Sequence, residues 1–442
     1  MLTAARLGAA ALSAALLTGA AAAPALADTP SPPAPAAPAA PTAPTAPAAP
    51  AAPEGLYGKG DPTYDGVWRQ SLALTALAAA KVTPADQAVA WLTGQQCEDG
   101  GWPSYRAADA ACDAKTEDSN ATAVAVQALV ALGGHQDAVD KGVQWLKTDQ
   151  NADGSWAYNP GNPGDANSTG LAVNALFAAR TDPAGVAKDG KNAFDGLARF
   201  QLGCAAPADQ RGAFAFQPDA ASGALAPNAL ATAQASLAAA GGRLPVTAGV
   251  RSDAAPKPLT CQDGAATTPA SPATPASPVA HADSAEAAGA YLTAQLGAGG
   301  NHLTLTMPGA TPTPDYTATA WAALGLTQSG HPQQAAGAVD WLTQNGAAWT
   351  KGGTDAGAAA TLLLVAQAAQ RDTAALVQQL TTLGPVPKTT ASAPAAPASA
   401  APAAEKKKDG GISQYWLIGV GLLIGVGGGL ILSLQRKRAP KL

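Results

Sequence analysis

The feature that most limits how this chain can fold is a repeat. Around Trp91 it reads AVAWLTGQQCEDGGW, and around Trp145 it reads KGVQWLKTDQNADGSW. In both, a Gln follows the first Trp by five residues, an Asp by eight and a second Trp by eleven. Weaker copies follow: DGLARFQLG around Phe200, AGAYLTAQLGAGG around Tyr291 and AGAVDWLTQNGAAW around Trp341. The aromatic markers are separated by 54, 55, 91 and 50 residues, and the long gap contains a Pro/Ala/Thr-rich insertion at about 242–281. A period near fifty means supersecondary units that bury their apolar faces only by stacking on one another.

Each unit holds two helical patterns. One carries the marker and is wet on one side: Val139, Val143 and Leu146 fall at i, i+4 and i+7, with Asp137, Asp140, Lys141 and Lys147 on other faces. The other is apolar almost all round, as in SNATAVAVQALVALGG (119–134) and NSTGLAVNALFAAR (167–180). The first kind belongs outside a domain and the second inside it. Inner helices are expected at about 66–80, 119–133, 167–180, 227–240, 315–329 and 355–369. Outer helices are expected at about 85–95, 137–149, 190–202, 284–296, 333–345 and 372–383. Such alternation stacks as an open solenoid or closes into a ring, and six pairs is a number at which double rings close.

The run Lys141-Gly142, Trp145-Leu146, Gln150 and Gly154-x-Trp156 resembles the QW repeat of terpenoid cyclases. That family shares its fold with protein prenyltransferase β subunits, complement-like thioester domains and cobalamin carriers. The resemblance covers most of residues 60–384. It implies an all-α fold, an α/α toroid of six inner and six outer helices. It also implies structural roles for Gln96, Asp99, Gly100, Trp102, Gln150, Asp153, Gly154 and Trp156. The Gln amide would satisfy backbone groups at the end of the outer helix, Asp-Gly would make a tight turn, and the Trp would pack over it. The rival reading is a Trp that stacks on a ligand.

The flanks set the location. Residues 1–27 read as a secretory leader: Arg6, an Ala/Leu run, then Ala25-Leu26-Ala27 as a cleavage site. Residues 28–55 are a Pro/Ala-rich linker, 56–384 the toroid and 385–411 a second linker. Residues 415–434, YWLIGVGLLIGVGGGLILSL, carry no charge and are long enough to span a bilayer as a helix. The basic tail 435–442 orients that span with the C-terminus in the cytoplasm and the toroid outside. Four cysteines in an exported chain read as two disulfides; of the three connectivities, Cys97–Cys112 and Cys204–Cys261 are favoured. A net charge of -5 argues against nucleic acid as a partner.

Motifs for chemistry on this scaffold are missing. The chain has no D-x-D-D to protonate an alkene, no D-D-x-x-D to hold magnesium on a diphosphate, no D-x-C for zinc and no G-C-G-E-Q thioester stretch. No catalytic residue, metal ligand or resident cofactor is assigned. His135, His281, His302 and His331 read as loop histidines. Acids do recur where inner helices start: Asp118, Asp165, Asp315 and Asp355. Capping accounts for the residue type, since a carboxylate satisfies free N–H groups there. In a toroid these termini also share one mouth, so the four acids, with Tyr158, Tyr316, Trp321 and Trp349 nearby, form the expected ligand-facing set.

The stretches Arg69–Leu74 and Asn167–Ala172 resemble inner-helix starts of the cobalamin-carrier branch, whose β-rich lid domain has no counterpart after 384. The expectation is an exported membrane protein holding a bulky ligand, cobalamin among the candidates. Its partners would be the cell membrane, a membrane transporter and a second, ligand-covering subunit. The alternatives are a prenyltransferase- or terpene-cyclase-like enzyme acting on isoprenoids and a protein-interaction module.

Overall fold

Twelve helices among the described residues alternate between two layers. The inner layer holds α1 (Gly66–Ala79), α3 (Ser119–Leu132), α5 (Ala166–Ala178), α7 (Ala229–Ala239), α9 (Tyr316–Gln328) and α11 (Ala356–Ala368). The outer layer holds α2 (Asp86–Gly94), α4 (Gln136–Asp149), α6 (Ala193–Ala198), α8 (His281–Ala298), α10 (Pro332–Trp349) and α12 (Ala374–Thr382). The computed structural model describes residues 53–247, 251–252, 254–261, 279–306, 309 and 311–388. The leader, both long linkers, the apolar stretch 415–434 and the basic tail lie outside the described residues, apart from the linker ends at 53–55 and 385–388. Among those described, no helix is long and apolar enough to cross a membrane.

Inner helices pack in sequence order, α1 on α3 and so on to α11, and α11 packs back on α1, so the ring is closed. Their alanines favour the helix and let neighbours approach closely. Four open on an Asp cap and one on an Asn. Asp118 accepts from the Asn120 and Ala121 N–H groups at 2.7 and 3.0 Å, Asp165 from Ser168 at 2.7 Å and Asn228 from Ala231 at 2.9 Å. Asp315 and Asp355 cap α9 and α11 through Ala318 and Ala358 at 2.8 and 3.1 Å. At the join between the first and last repeats, Gly58 N–H donates to the Leu383 carbonyl at 2.8 Å. Buried Gln70 secures the same segment, accepting from Tyr57 N–H and donating to the Gly55 and Ala88 carbonyls. The outer helix expected over 190–202 is shorter. Strands β1 (Ala187–Lys188) and β2 (Lys191–Asn192) form a hairpin first, and Asn192 then opens α6 in a capping box with Asp195.

The repeated motif is the joint between pairs. Trp102 and Trp156 are fully buried. Each indole N–H donates to a carbonyl in the last turn of the preceding outer helix, Leu92 at 2.9 Å and Leu146 at 2.7 Å; the Leu92 carbonyl also accepts from the Gln95 N–H at 3.2 Å. Each backbone N–H donates to a threonine hydroxyl on the next inner helix, Thr122 at 2.9 Å and Thr169 at 3.0 Å. Phe214 with Thr232 and Leu303 with Thr319 repeat that bond at 2.9 Å without a Trp. The third copy is therefore marked by Gln201 and Phe214, the two being separated by an insertion that carries Cys204, rather than by Phe200.

The Gln amide reaches forward instead of serving its own helix end. Gln96 donates to Gly100 and Ala138 carbonyls at 3.0 and 2.9 Å, and Gln150 to Gly154 and Val186 at 3.0 and 3.2 Å. Gln201 donates to Gly212 and Ser284 at 3.1 and 3.0 Å. Each amide thus ties its own turn to the start of the next outer element. Asp99 and Asp153 brace these turns, accepting from the Gly101 and Ser155 N–H groups. The turns need glycine: Gly154 has φ +85, and a Cβ there would lie 2.2 Å from the Asn192 carbonyl oxygen.

The insertion after α7 closes one end of the ring. Leu244 and Val246 are buried in the main core, and Leu244 N–H donates to Gln127 on α3, across the ring, at 2.8 Å. The chain then runs past His331, whose ring bonds Glu286 at 2.8 Å and the Ala254 carbonyl at 3.0 Å. It ends in the Cys204–Cys261 disulfide; Cys97–Cys112 is the other.

Candidate functional site

With one end plugged, the ring is a cup, and its mouth lies where the inner helices begin. A cavity of about 800 Å³ opens there, within the range of small-molecule sites, about 300–1,000 Å³. Asp65, Asp118, Asp165 and Asp315 line it at the starts of α1, α3, α5 and α9.

These acids are mostly occupied. Beyond its two backbone bonds, Asp118 accepts from the Ser104 hydroxyl at 2.7 Å, which also bonds the Tyr158 hydroxyl at 2.9 Å. Burial pushes the Asp118 carboxyl above the usual carboxylate range, and the Ser104 hydroxyl and Ala121 N–H oppose that. Asp165 is likewise raised by burial against the Ser168 N–H and hydroxyl. Asp65 is raised by burial and opposed by Arg69. The Arg69 guanidinium pairs with Asp65 and also donates to the Tyr57, Gly60 and Asp61 carbonyls, which uses four of its five N–H groups. Among the described residues lining the cavity there is no lysine, arginine or histidine.

Amides supply the free polar groups. Asn167 on α5 and Gln234 on α7, exposed by only 8% and 5%, line the wall and bond each other, Nδ2 to Oε1 at 2.6 Å. That leaves Asn167 Oδ1 and Gln234 Nε2 with no hydrogen bond among the described residues. Asn120, Asn228 and Gln295 add three more side-chain amides.

The rim is aromatic, and the repeat builds it. Two residues beyond each buried marker stand Ser104, Tyr158, Phe216 and Leu305. Backbone bonds pin the first three over the helix starts: Val67 N–H to Ser104 O at 2.9 Å, and Ser119 to Tyr158 and Ala166 to Phe216 at 3.0 Å. Leu305 sits on the hairpin of β3 (Leu303–Leu305) and β4 (Thr313–Asp315), which leads into α9. Tyr158, Phe216 and Leu305 are 44–48% exposed, and Tyr64 is exposed beside them. All four line the cavity. Burial, then the nearby Asp118 charge, pushes the Tyr158 hydroxyl up to about 12, so it stays a neutral donor.

Of the eight residues expected to face a ligand, Asp118, Asp165, Asp315 and Tyr158 lie on this cavity. The other four do not. Asp355 caps α11 and pairs with Lys351 at 3.0 Å. Tyr316 turns outward and packs on Trp341 and Trp349, with ring centroids 4.9 and 5.9 Å apart. Trp321 is buried inside the ring, beneath Trp68 at 6.3 Å, which itself lines the cavity. Sequence reasoning missed Trp68, Asn167, Gln234 and Phe216. An available signal was a large amide within the first two turns of an otherwise apolar helix; another was the residue two past each marker.

A closed ring of alternating inner and outer helices defines an α/α toroid. Residues 55–171 match the family model for the squalene-hopene cyclase C-terminal domain; they hold both strong motif copies and helices α1 to α4. The matched stretch and the closed ring together support a terpenoid-cyclase-like α/α toroid. Comparison with curated proteins finds no match.

Proposed function

We propose that this is an exported, membrane-anchored binding protein whose cup holds a bulky, polar, uncharged ligand for a membrane transporter. The observation that carries the reading is the cup itself: an 800 Å³ cavity lined by side-chain amides and rimmed by exposed aromatics. Outside placement is supported by the leader at 1–27, the apolar stretch 415–434 with its basic tail, and two disulfides suited to an oxidising compartment. A second subunit closing over the rim would cover the exposed Tyr64, Phe216 and Leu305. Cobalamin, whose carriers share this fold, is the first ligand to test.

The isoprenoid-enzyme alternative fits the lining less well. A prenyl diphosphate would meet four carboxylates and no lining cation. Burial raises Asp118 and Asp165, but both oxygens of each already accept hydrogen bonds from cap N–H groups and from the Ser104 and Ser168 hydroxyls, so neither is placed to hand a proton to a substrate. Titrating the full chain in detergent with cyanocobalamin, followed by visible absorbance and tryptophan fluorescence, tests the corrinoid. A saturable change supports it; a flat response at micromolar protein removes cobalamin. Turnover of squalene or a prenyl diphosphate that vanished in Asp118→Ala or Asp315→Ala would restore the enzyme reading.

A further inference from the structure

The geometry points to a neutral, hydroxyl-rich ligand in the cup: an uncharged oligosaccharide, held by the Asn167–Gln234 amide pair and stacked on the rim aromatics. This rests on the ligand-binding reading and narrows it. Three independent observations carry it.

The free polar groups are amides in donor–acceptor form. Gln234 Nε2 offers a donor and Asn167 Oδ1 an acceptor, locked side by side by the 2.6 Å bond between their other ends. An adjacent donor and acceptor match vicinal hydroxyls, each of which both gives and takes a hydrogen bond. Both side chains are more than nine-tenths buried, so what remains accessible of each faces the cup, where a ligand hydroxyl can take the place of water.

The rim offers two exposed ring faces, Tyr158 and Phe216. Tyr158 and Phe216 occupy equivalent places in successive repeats, each held by a bond from the start of an inner helix at 3.0 Å. The Tyr158 hydroxyl is tethered to Ser104, which fixes its ring. Apolar C–H faces of a pyranose pack on such rings while its hydroxyls turn inward to the amides.

Charge excludes the other classes. Four carboxylates with no cation in the lining disfavour sugar phosphates, uronates and diphosphates. A cation is not specifically served either, because Asp65 is paired with Arg69, Asp118 and Asp165 are engaged by caps and hydroxyls, and Asp315, with one oxygen on its cap, has no second uncommitted carboxylate in the lining to share a cation with. A corrinoid would find no histidine in the lining to bind its metal and would be held by its amide rim alone.

The test is isothermal titration of the full chain in a polyoxyethylene detergent, which carries no sugar headgroup. The probes are maltotetraose, cellotetraose, mannotetraose and N-acetylchitotetraose, with spermidine, geranylgeranyl diphosphate and cyanocobalamin as contrasts. The expected result is saturable binding of at least one tetrasaccharide with little dependence on salt. Gln234→Ala should weaken it about tenfold, the loss of one well-made hydrogen bond. Phe216→Ala, at an exposed position that leaves the core intact, should weaken it as well. Binding of cyanocobalamin or spermidine that is lost in Gln234→Ala, with all four tetrasaccharides silent, overturns the sugar and keeps the cup as a binding site. Silence from every probe overturns both. Tetrasaccharide binding untouched by both variants overturns the site.

Discussion

Replacing Gln150 with Leu tests whether the motif is a clamp between repeats. The amide donates to the Gly154 and Val186 carbonyls, and the side chain is 1% exposed. Two net hydrogen bonds are worth about 2 kcal/mol, and the Gly154 carbonyl left dry adds about 1 kcal/mol, whereas the Val186 carbonyl keeps the Ala193 N–H. Against that, the substitution removes Gln150 Oε1, which is itself buried without a partner; this offsets about 1 kcal/mol. The expected loss is thus about 2 kcal/mol. Gln201 has a third bond, accepting from the Ser284 hydroxyl at 2.7 Å, so its Leu variant should lose more. Gln96 is only half-buried and water can replace it, so its variant should lose least. Urea unfolding of the full chain in detergent, followed by tryptophan fluorescence, measures all three. A Gln150→Leu variant within about 0.5 kcal/mol of the parent, the usual range for surface changes, would refute the clamp. So would an inverted order of the three.

Three further outcomes are expected. Gly154→Ala should unfold at markedly lower urea, since its positive φ and the 2.2 Å approach to Asn192 leave no room for a methyl group; strain alone costs about 1 kcal/mol or more. Glu117 accepts from the Trp145 indole and is pushed up from 4.5 to about 7, by burial first and then by Asp99. The native state keeps a proton that the unfolded chain loses above 4.5, so this contribution is full below that pH and is lost as pH rises through 7. Glu117→Gln should flatten that decline in urea midpoints between pH 4.5 and 8, and an unchanged slope would dismiss the assignment. Cys204→Ser with Cys261→Ser opens a link spanning 57 residues and Cys97→Ser with Cys112→Ser one spanning 15; losses of about 4 and 3 kcal/mol are expected from loop entropy, and equilibrium unfolding distinguishes them.

Much of the ring was legible because its signals are local. Apolar-all-round segments with an Asp or Asn cap located the inner helices to within a residue or two. Helix α6 was misjudged because the Asp189-Gly190 turn, both residues at positive φ, lets a hairpin take the first part of the segment. The third motif copy was misread for a related reason: the insertion carrying Cys204 separates Gln201 from Phe214, so the spacing no longer signals the pair. At the mouth, caps were readable from residue type alone. Which aromatics reach the cup was not, because direction depends on the turn of each helix: Tyr316 follows its cap directly and points to α10, whereas Phe216 precedes its helix and overhangs the opening. Asn167 and Gln234 are 67 residues apart and meet only because α5 and α7 are neighbours.

The central claim is that ligand enters at the starts of the inner helices. Hydrogen–deuterium exchange on the full chain, with and without whichever tetrasaccharide or cyanocobalamin binds, tests it most directly. The account predicts slowed exchange at 118–121, 165–168 and 228–231, with the opposite end around Gly133, Gly134 and Arg180 unchanged. Protection confined to that opposite end, or to the outer helices, would contradict it.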